Sequence, residues 1–474
     1  MDNLIRFGTD GWRGIIARDF TFDKVQACAQ GVADYLKQMG LAERGLLIGY
    51  DTRFASEYFA SDSAEVLAGN GIRVYLCPKA TPTPVISYGV IAQKTGGAIV
   101  ITASHNPAMW NGFKIKTEDG TSASSDVLAN LEPIINNIIK TKKIKHMPLA
   151  QALTQELVKY ADLDTIYSDH VSDLIDLKQL RRSKLKIVVD SMYGAGANYF
   201  TKLLGGENIN VIEINNERNP AFPGIQPEPI AVNLEKLSAR VKKERANVGL
   251  ATDGDADRIG IIDENGEFLT QLQVFALLAL YMLETRGERG AIVKTITTTS
   301  MLDRLGEIYK VRVYETPVGF KYVAPQMEAE NALIGGEESG GYGFRGHMPE
   351  RDGIVAGLYF LDLMVKTGKT PSELLAHLFS KVGPHYYHRL DIEFPENERQ
   401  AIVNRIKTNP PESIEGTKVT KIKDTDGFHF TLADTSWLLI RFSGTEPLLR
   451  IYAESNTIDR VKRLLQFGKN LAGV

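Results

Sequence analysis

Cysteine is nearly absent: Cys28 and Cys77 are the only two among 474 residues. Two thiols make neither a disulfide framework nor a cysteine zinc cluster, and their scarcity fits a reducing compartment. An excess of one charge is missing too. Lys and Arg number 55 against 58 Asp and Glu, a formal net charge of −3, which leaves no electrostatic footprint for nucleic acid. Long hydrophobic runs are also lacking. The longest, Val274 to Leu283, is too short to span a bilayer and reads as a buried helix. The opening MDNLIRFGTDGW has no apolar stretch of the kind that directs secretion. These absences exclude disulfide-stapled, membrane-spanning and nucleic-acid-coating classes. A soluble, cytoplasmic protein is expected, with small-molecule partners and a monomeric or homodimeric state.

What is present is ordinary globular material, 43% hydrophobic and 24% charged, with 42 glycines and 19 prolines. At roughly 100–200 residues per domain the chain divides into three or four. A unit recurs three times. GLLIGYDTR (45–53), KIVVDSMYGAG (186–196) and AIVKTITTT (291–299) are apolar strands that end in polar or glycine residues. Each leads through a helical stretch to a second strand, IRVYLC, INVIEI or VRVYET, and then to a turn-rich segment. A third strand closes each unit in a polar loop: AIVITASHNP (98–107), NVGLATDGDADR (247–258) and ALIGGEESGG (332–341). Continuous apolar runs alternating with helices predict α/β domains, with chemistry at the carboxyl ends of the strands. The tail differs, with short strands such as SWLLIRF and LLRIYAES before a closing helix, TIDRVKRLLQFGKNL. It predicts a smaller α+β domain with an antiparallel sheet. The expected divisions are 1–155, 156–264 and 265–382 for the α/β domains and 383–474 for the last.

LATDGDADRIGII (250–262) carries the strongest chemical signal. Asp253, Asp255 and Asp257 alternate, so an extended loop can point all three carboxylates one way. Convergent anions repel unless a cation sits among them, and oxygen ligands suit Mg²⁺. An EF-hand, for which Glu264 would be the twelfth ligand, fails because Arg258 replaces the required glycine. Ser104 follows a buried strand in TASHNPAMWNGFK. It is either a turn-forming cap or a nucleophile. There is no G-x-S-x-G elbow around it, which disfavours an α/β-hydrolase. With a metal to neutralise the oxygens, a serine can instead accept a phosphoryl group, and His105 and Lys114 are suited to proton transfer or charge stabilisation.

Three further loops have both a structural and a chemical reading. GGEESGG (335–341) is a flexible acidic turn or, through Glu337 and Ser339, a grip for sugar hydroxyls on a closely approaching backbone. Nearby, GHMPERDG (346–353) adds His347 and Arg351. RFSGTEP (441–447) is a hairpin turn or a phosphate cradle, and no Lys follows in Walker A fashion. In GTDGWRG (8–14), Arg13 can contact phosphate, whereas Trp12 is better explained by packing.

In this order and spacing, TASHNPAMWNGFK, DGDADR, GEESGG and RFSGTEP resemble the phosphoserine, metal, sugar and phosphate loops of the α-D-phosphohexomutase family over essentially the whole chain. The resemblance implies three similar α/β domains with mixed sheets and a C-terminal α+β domain, arranged around a central cleft. It implies that Ser104 carries a phosphate and donates it to a hexose phosphate. A 1,6-bisphosphate would form, turn end for end, and return its other phosphate to Ser104. Asp253, Asp255, Asp257 and the Ser104 phosphate would hold Mg²⁺, and Arg13, His105 and Lys114 occupy cationic and proton-transfer positions. Arg258, Lys294, Gly319, Glu337, Ser339, His347 and Arg351 would bind substrate, and Arg441, Ser443, Gly444 and Thr445 its non-reacting phosphate. Gly341 stands where members acting on mannose or glucosamine phosphates typically carry His. The implied substrate is therefore glucose phosphate, with glucose 1,6-bisphosphate as intermediate and activator; the alternative is mannose phosphate, alone or alongside glucose phosphate, and after it glucosamine phosphate. A phosphatase using the same serine, or a sugar-phosphate binder without chemistry, are the rival readings.

Overall fold

The computed structural model describes residues 4–206, 208–443 and 448–474. It is a four-domain architecture of three α/β domains and a C-terminal α+β domain, each built on its own main sheet. The repeat is realised strand by strand. In the first domain Val74–Leu76, Leu46–Tyr50 and Ala98–Ile101 lie side by side in parallel. In the second the same places are taken by Asn210–Ile214, Lys186–Asp190 and Val248–Thr252. In the third they are taken by Val313–Thr316, Ile292–Thr295 and Ile334–Gly336.

Each sheet also has a strand that the apolar runs do not announce. After the third strand the chain turns back and pairs antiparallel with it, as Trp110–Lys116, Ile259–Ile262 and Tyr342–Phe344. These returns make the sheets mixed. They also make the connection between third and fourth strands the same structural part in all three domains, and each polar loop singled out above is that connection.

The apolar runs are continuous because the sheets are covered on both faces. Along Ala98–Ile101, Ala98 and Val100 face one core while Ile99 and Ile101 face another. The first of these cores is shared. It runs unbroken from Leu47 and Val85 through Leu250 and Phe275 to Ile292 and Tyr359, so the three α/β domains form one packed body. Within it lies the helix Gln271–Leu280, apolar on all sides and buried along nearly its whole length. No helix among the described residues is long and apolar enough to cross a membrane.

The last domain has a core of its own, with Phe430, Ile440, Ile451 and Leu464 between its antiparallel sheet and the helix Ile458–Ala472. It meets the third domain at a small apolar patch containing Ile296, Trp437, Leu439 and Tyr452. Polar ties flank the patch: Glu454 accepts from Ser300, Glu338 pairs with Arg389, and Lys423 pairs with Glu315.

Two expected divisions move. Val158–Tyr160 extends the first sheet by pairing parallel with Val74–Leu76, so the crossing lies beyond residue 160 rather than at 155. Phe268–Leu269 pairs with Ile261 and Ile262, so position 264 falls inside a hairpin of the second sheet. Both strands are too short to show a period of their own, and only a partner strand reveals them.

Candidate active site

The loop after Ala98–Ile101 carries Ser104, which is 1% exposed and sits at φ +51°. Its hydroxyl donates to Asp253 Oδ2 at 2.7 Å, across 149 positions of sequence. Close approach of the two loops requires Gly254. A Cβ there would stand 2.4 Å from the Ser104 carbonyl oxygen.

The aspartates converge, though not through an extended loop. Ala256 takes φ +59°, its N–H donates to Asp253 O, and Asp253 Oδ1 accepts the N–H groups of Asp257 and Arg258. The result is a tight turn in which carboxylate oxygens of Asp253, Asp255 and Asp257 all lie within 4.8 Å of one another. All three residues are fully buried. Burial pushes the Asp253 carboxyl well above the usual range, and the charges of Asp255 and Asp257 push it further. Burial also raises Asp257, against Arg351. At Asp255 the burial effect is outweighed by Lys114, and that carboxyl stays below its ordinary value. Asp255 Oδ1 and Asp257 Oδ1 accept no hydrogen bond. Buried, mutually repelling oxygens with free lone pairs fit a hard divalent cation such as Mg²⁺.

Lys114 comes from the antiparallel return strand. Phe113 and Ile115 enter the core, so the period of two turns Lys114 and Lys116 to the opposite face. Lys114 Nζ lies 2.7 Å from Asp10 Oδ2, 2.8 Å from Asp255 Oδ2 and 3.6 Å from Asp257 Oδ2. Burial disfavours its charge, but the three carboxylates more than offset this and hold it protonated. His105 Nδ1 lies 3.4 Å from the Ser104 hydroxyl. Burial and the positive charges of Arg258, Arg13, Arg53 and Lys114 hold the imidazole well below its ordinary pKa, hence neutral. Arg13 reaches the same loop through Asn106 Oδ1.

Arg351 joins this cluster to the loop 335–341. Its guanidinium lies 2.7 Å from Asp10, 2.9 Å from Asp257 and 3.3 Å from Glu337. Glu337 also accepts the N–H of Gly319 at 3.1 Å, where φ is +129°. The Ser339 hydroxyl is buried with no partner. Arg258, 3.7 Å from Glu228, flanks the aspartates.

Two expected members lie elsewhere. His347 is not brought to the cluster: its Nε2 bonds Asp352 Oδ2, its Nδ1 meets His170 Nε2, and its ring stacks on His170. Asp352 caps the helix Gly353–Thr367, so the histidine serves a buried junction. Lys294 pairs with Asp303 and bonds Thr299 O, held by the helix that follows its own strand. Arg441 pairs with Asp426, which also accepts the N–H of Val318 beside Gly319. Ser443 donates its N–H to Leu448 O at the hairpin base, and Gly444 and Thr445 lie outside the described residues.

Other members were not foreseen. Asp10 joins Lys114 to Arg351, and Thr83 donates to Asp255 Oδ2 at 2.6 Å. Lys116 pairs with Glu350 at 2.7 Å, with both side chains at most 1% exposed, and Ser122 donates to the same carboxylate. Lys116 carried a signal, since it shares the strand face of Lys114.

Models of the phosphoglucomutase/phosphomannomutase α/β/α domains I, II and III match residues 4–142, 165–266 and 271–382, and that of the C-terminal domain matches 392–467. The chain is an α-D-phosphohexomutase family member. A phosphohexomutase relative from Thermococcus kodakarensis, a phosphoglucomutase/phosphomannomutase, is 31% identical over 98% of both chains. A probable phosphoglucosamine mutase from Methanosphaera stadtmanae is 30% identical over 97% of this chain and 96% of its own. The crystal structure of a putative phosphomannomutase from Thermus thermophilus superposes with a TM-score of 0.87 at 34% identity, covering all of both chains. Within the phosphohexomutases, then, the relatives differ in the sugar they are named for.

Proposed function

We propose that this phosphohexomutase interconverts glucose 1-phosphate and glucose 6-phosphate through a phosphoserine at Ser104 and a 1,6-bisphosphate intermediate. The observation that carries the reading is the 2.7 Å contact of the Ser104 hydroxyl with Asp253, inside a carboxylate set that has a cation's ligands and no hydrogen bonds to Asp255 Oδ1 or to either oxygen of Asp257. A binder needs no nucleophile there.

Asp253, Asp255 and Asp257 would hold Mg²⁺ together with a Ser104 phosphate oxygen. The ion supplies Lewis-acid neutralisation of the transferring group. The chain's own residues do the rest. Lys114, Arg13 and Arg258 fix positive charge around the equatorial oxygens, where it need not reorganise as the transition state forms. The substrate's free hydroxyl forms its bond to phosphorus as the Ser104 Oγ–P bond breaks. His105, neutral and 3.4 Å from Oγ, is the group suited to take the proton from that hydroxyl and give one to Oγ as it leaves. The bisphosphate then turns, and the second transfer returns the other phosphate to Ser104. Glu337 and Ser339 hold sugar hydroxyls in either orientation, with Gly319 and Arg351 setting the Glu337 carboxylate. Arg441, Ser443, Gly444 and Thr445 hold the phosphate that is not reacting. The four domains divide this work as serine loop, metal loop, sugar loop and phosphate loop.

Glucose is favoured by Gly341. A Cβ at this position would meet Arg351 Cδ at 2.3 Å, so a larger residue there would displace the arginine that pairs with Glu337. A glucosamine phosphate is the second reading, favoured by the names of several relatives near 30% identity. Comparing kcat/KM on glucose, mannose and glucosamine phosphates decides among them. With Mg²⁺ and a trace of glucose 1,6-bisphosphate, glucose 1-phosphate should become glucose 6-phosphate. Ser104→Ala or chelation of the metal should abolish the conversion. Inorganic phosphate appearing at the rate of substrate loss would overturn the mutase reading in favour of a phosphatase.

A further inference from the structure

We propose that Arg53 is a positioning residue for Ser104: its guanidinium, braced by Asp51, locks the serine loop in the one conformation from which the hydroxyl meets Asp253. The inference rests on the reading of Ser104 as the phosphate carrier. Arg53 follows the strand Leu46–Tyr50 of the first domain and is 0% exposed.

Each of its three nitrogens is used. Nη2 donates to the carbonyl oxygens of Ser104 at 2.7 Å and Asn106 at 2.6 Å. Nη1 donates to those of Pro107 at 2.9 Å and Trp110 at 3.0 Å. Nε donates to Asp51 Oδ2 at 3.0 Å. That oxygen also accepts from the Thr102 hydroxyl, which in turn accepts the Ser104 N–H at 2.8 Å. The peptide groups on both sides of the Ser104 Cα are thereby pinned by one connected set of bonds. They hold the residue in the left-handed region, which a non-glycine residue resists because its Cβ crowds the following carbonyl oxygen.

The clamp is costly to build, because burial pushes the Asp51 carboxyl up and the Arg53 guanidinium down from their ordinary values. Apolar residues often replace buried ion pairs without loss of stability, so stability alone does not explain it. Its geometry does, since only a planar fork of donors can satisfy these acceptors at once. The second domain closes the other side: Phe222 lies over the guanidinium at 5.1 Å, and Gln226 donates to His105 O at 3.0 Å. The consequence is chemical. In a reaction whose sugar must turn over between two transfers, the carrier has to be the part that does not move.

Arg53→Lys keeps the charge and loses the fork. Hydrogen exchange should quicken by about tenfold or more at residues 102–110 and stay unchanged elsewhere. With glucose 1-phosphate, kcat should fall by about 100-fold, whereas the Kd measured by calorimetry in an S104A background should stay within about twofold. Exchange at the wild-type rate overturns the proposal whatever sugar the enzyme uses. So does a kcat within about threefold of wild type, or a Kd that weakens as much as kcat falls, which would mark a general packing role. If R53K lacks a cooperative melt, Thr102→Val removes the relay to the Ser104 N–H at constant shape and carries the same expectations. Failure of the wild type to turn over any hexose phosphate would refute the functional reading, and the exchange measurement would still decide the role of Arg53.

Discussion

Gly254 contributes to the site by having no side chain. Its missing side chain lets the aspartate loop lie against the Ser104 carbonyl, and a methyl group would land 2.4 Å from that oxygen. Gly254→Ala should therefore separate the two loops, lengthening the Ser104–Asp253 contact. Overpacking of this kind costs about 1–3 kcal/mol of stability, which urea denaturation will read. Turnover should fall by about 100-fold, because displacing reacting groups by an ångström has that effect. Retention of wild-type kcat would mean that the contact does not matter for chemistry. At this scale Ser104 and the three aspartates were legible from the chain, since polar residues interrupt apolar strands at those points. Asp10 and Glu350 were not. Each looks locally like an ordinary turn or surface residue, and the partners that bury them lie more than a hundred positions away. His347 misled for the same reason: its ring partner His170 is 177 residues upstream.

Among the elements, the helix Gly353–Thr367 shows how a cap can be shared. Asp352 Oδ1 accepts the N–H groups of Ile354 and Val355, while Oδ2 accepts from the Tyr167 hydroxyl at 2.6 Å and from His347. Loss of an N-cap alone costs about 1 kcal/mol. Asp352→Ala would also orphan two buried donors, each worth about 1–3 kcal/mol. The expected loss is about 3 kcal/mol or more in chemical denaturation, and a loss of only about 1 kcal/mol would show that the helix end relaxes alone. The parallel strands were readable as continuous apolar runs because both faces of each sheet are covered. The antiparallel returns were not. WNGFKIK alternates because one face turns to charged groups, and YGF is too short to have a period.

Across the whole molecule, the first three domains meet at a ring of histidine and tyrosine. His170 of the second domain stacks on Tyr88 of the first and bonds His347 of the third. Burial and the adjacent His347 push His170 down to about 4 from an ordinary 6.5, although Asp173 and Asp352 oppose the shift. Between those values the unfolded chain takes up a proton that the folded chain refuses. Stability contributed by His170 is thus complete above about pH 6.5 and is lost as pH falls toward 4. Denaturation midpoints measured from pH 7 to 4 should fall less steeply in His170→Gln than in the wild type, and equal slopes would remove this junction as the cause. At the same scale, the three polar loops are one connection used three times, each leaving a third strand and returning on the strand beside it. Its two ends lie about one strand spacing, 4.8 Å, apart. A connection anchored so closely can change length or sequence at little energetic expense, roughly 0.6 kcal/mol per doubling of a flexible loop. The architecture is therefore modular in a practical sense: the third connection can be rewritten while the first two, which carry the serine and the carboxylates, are left untouched.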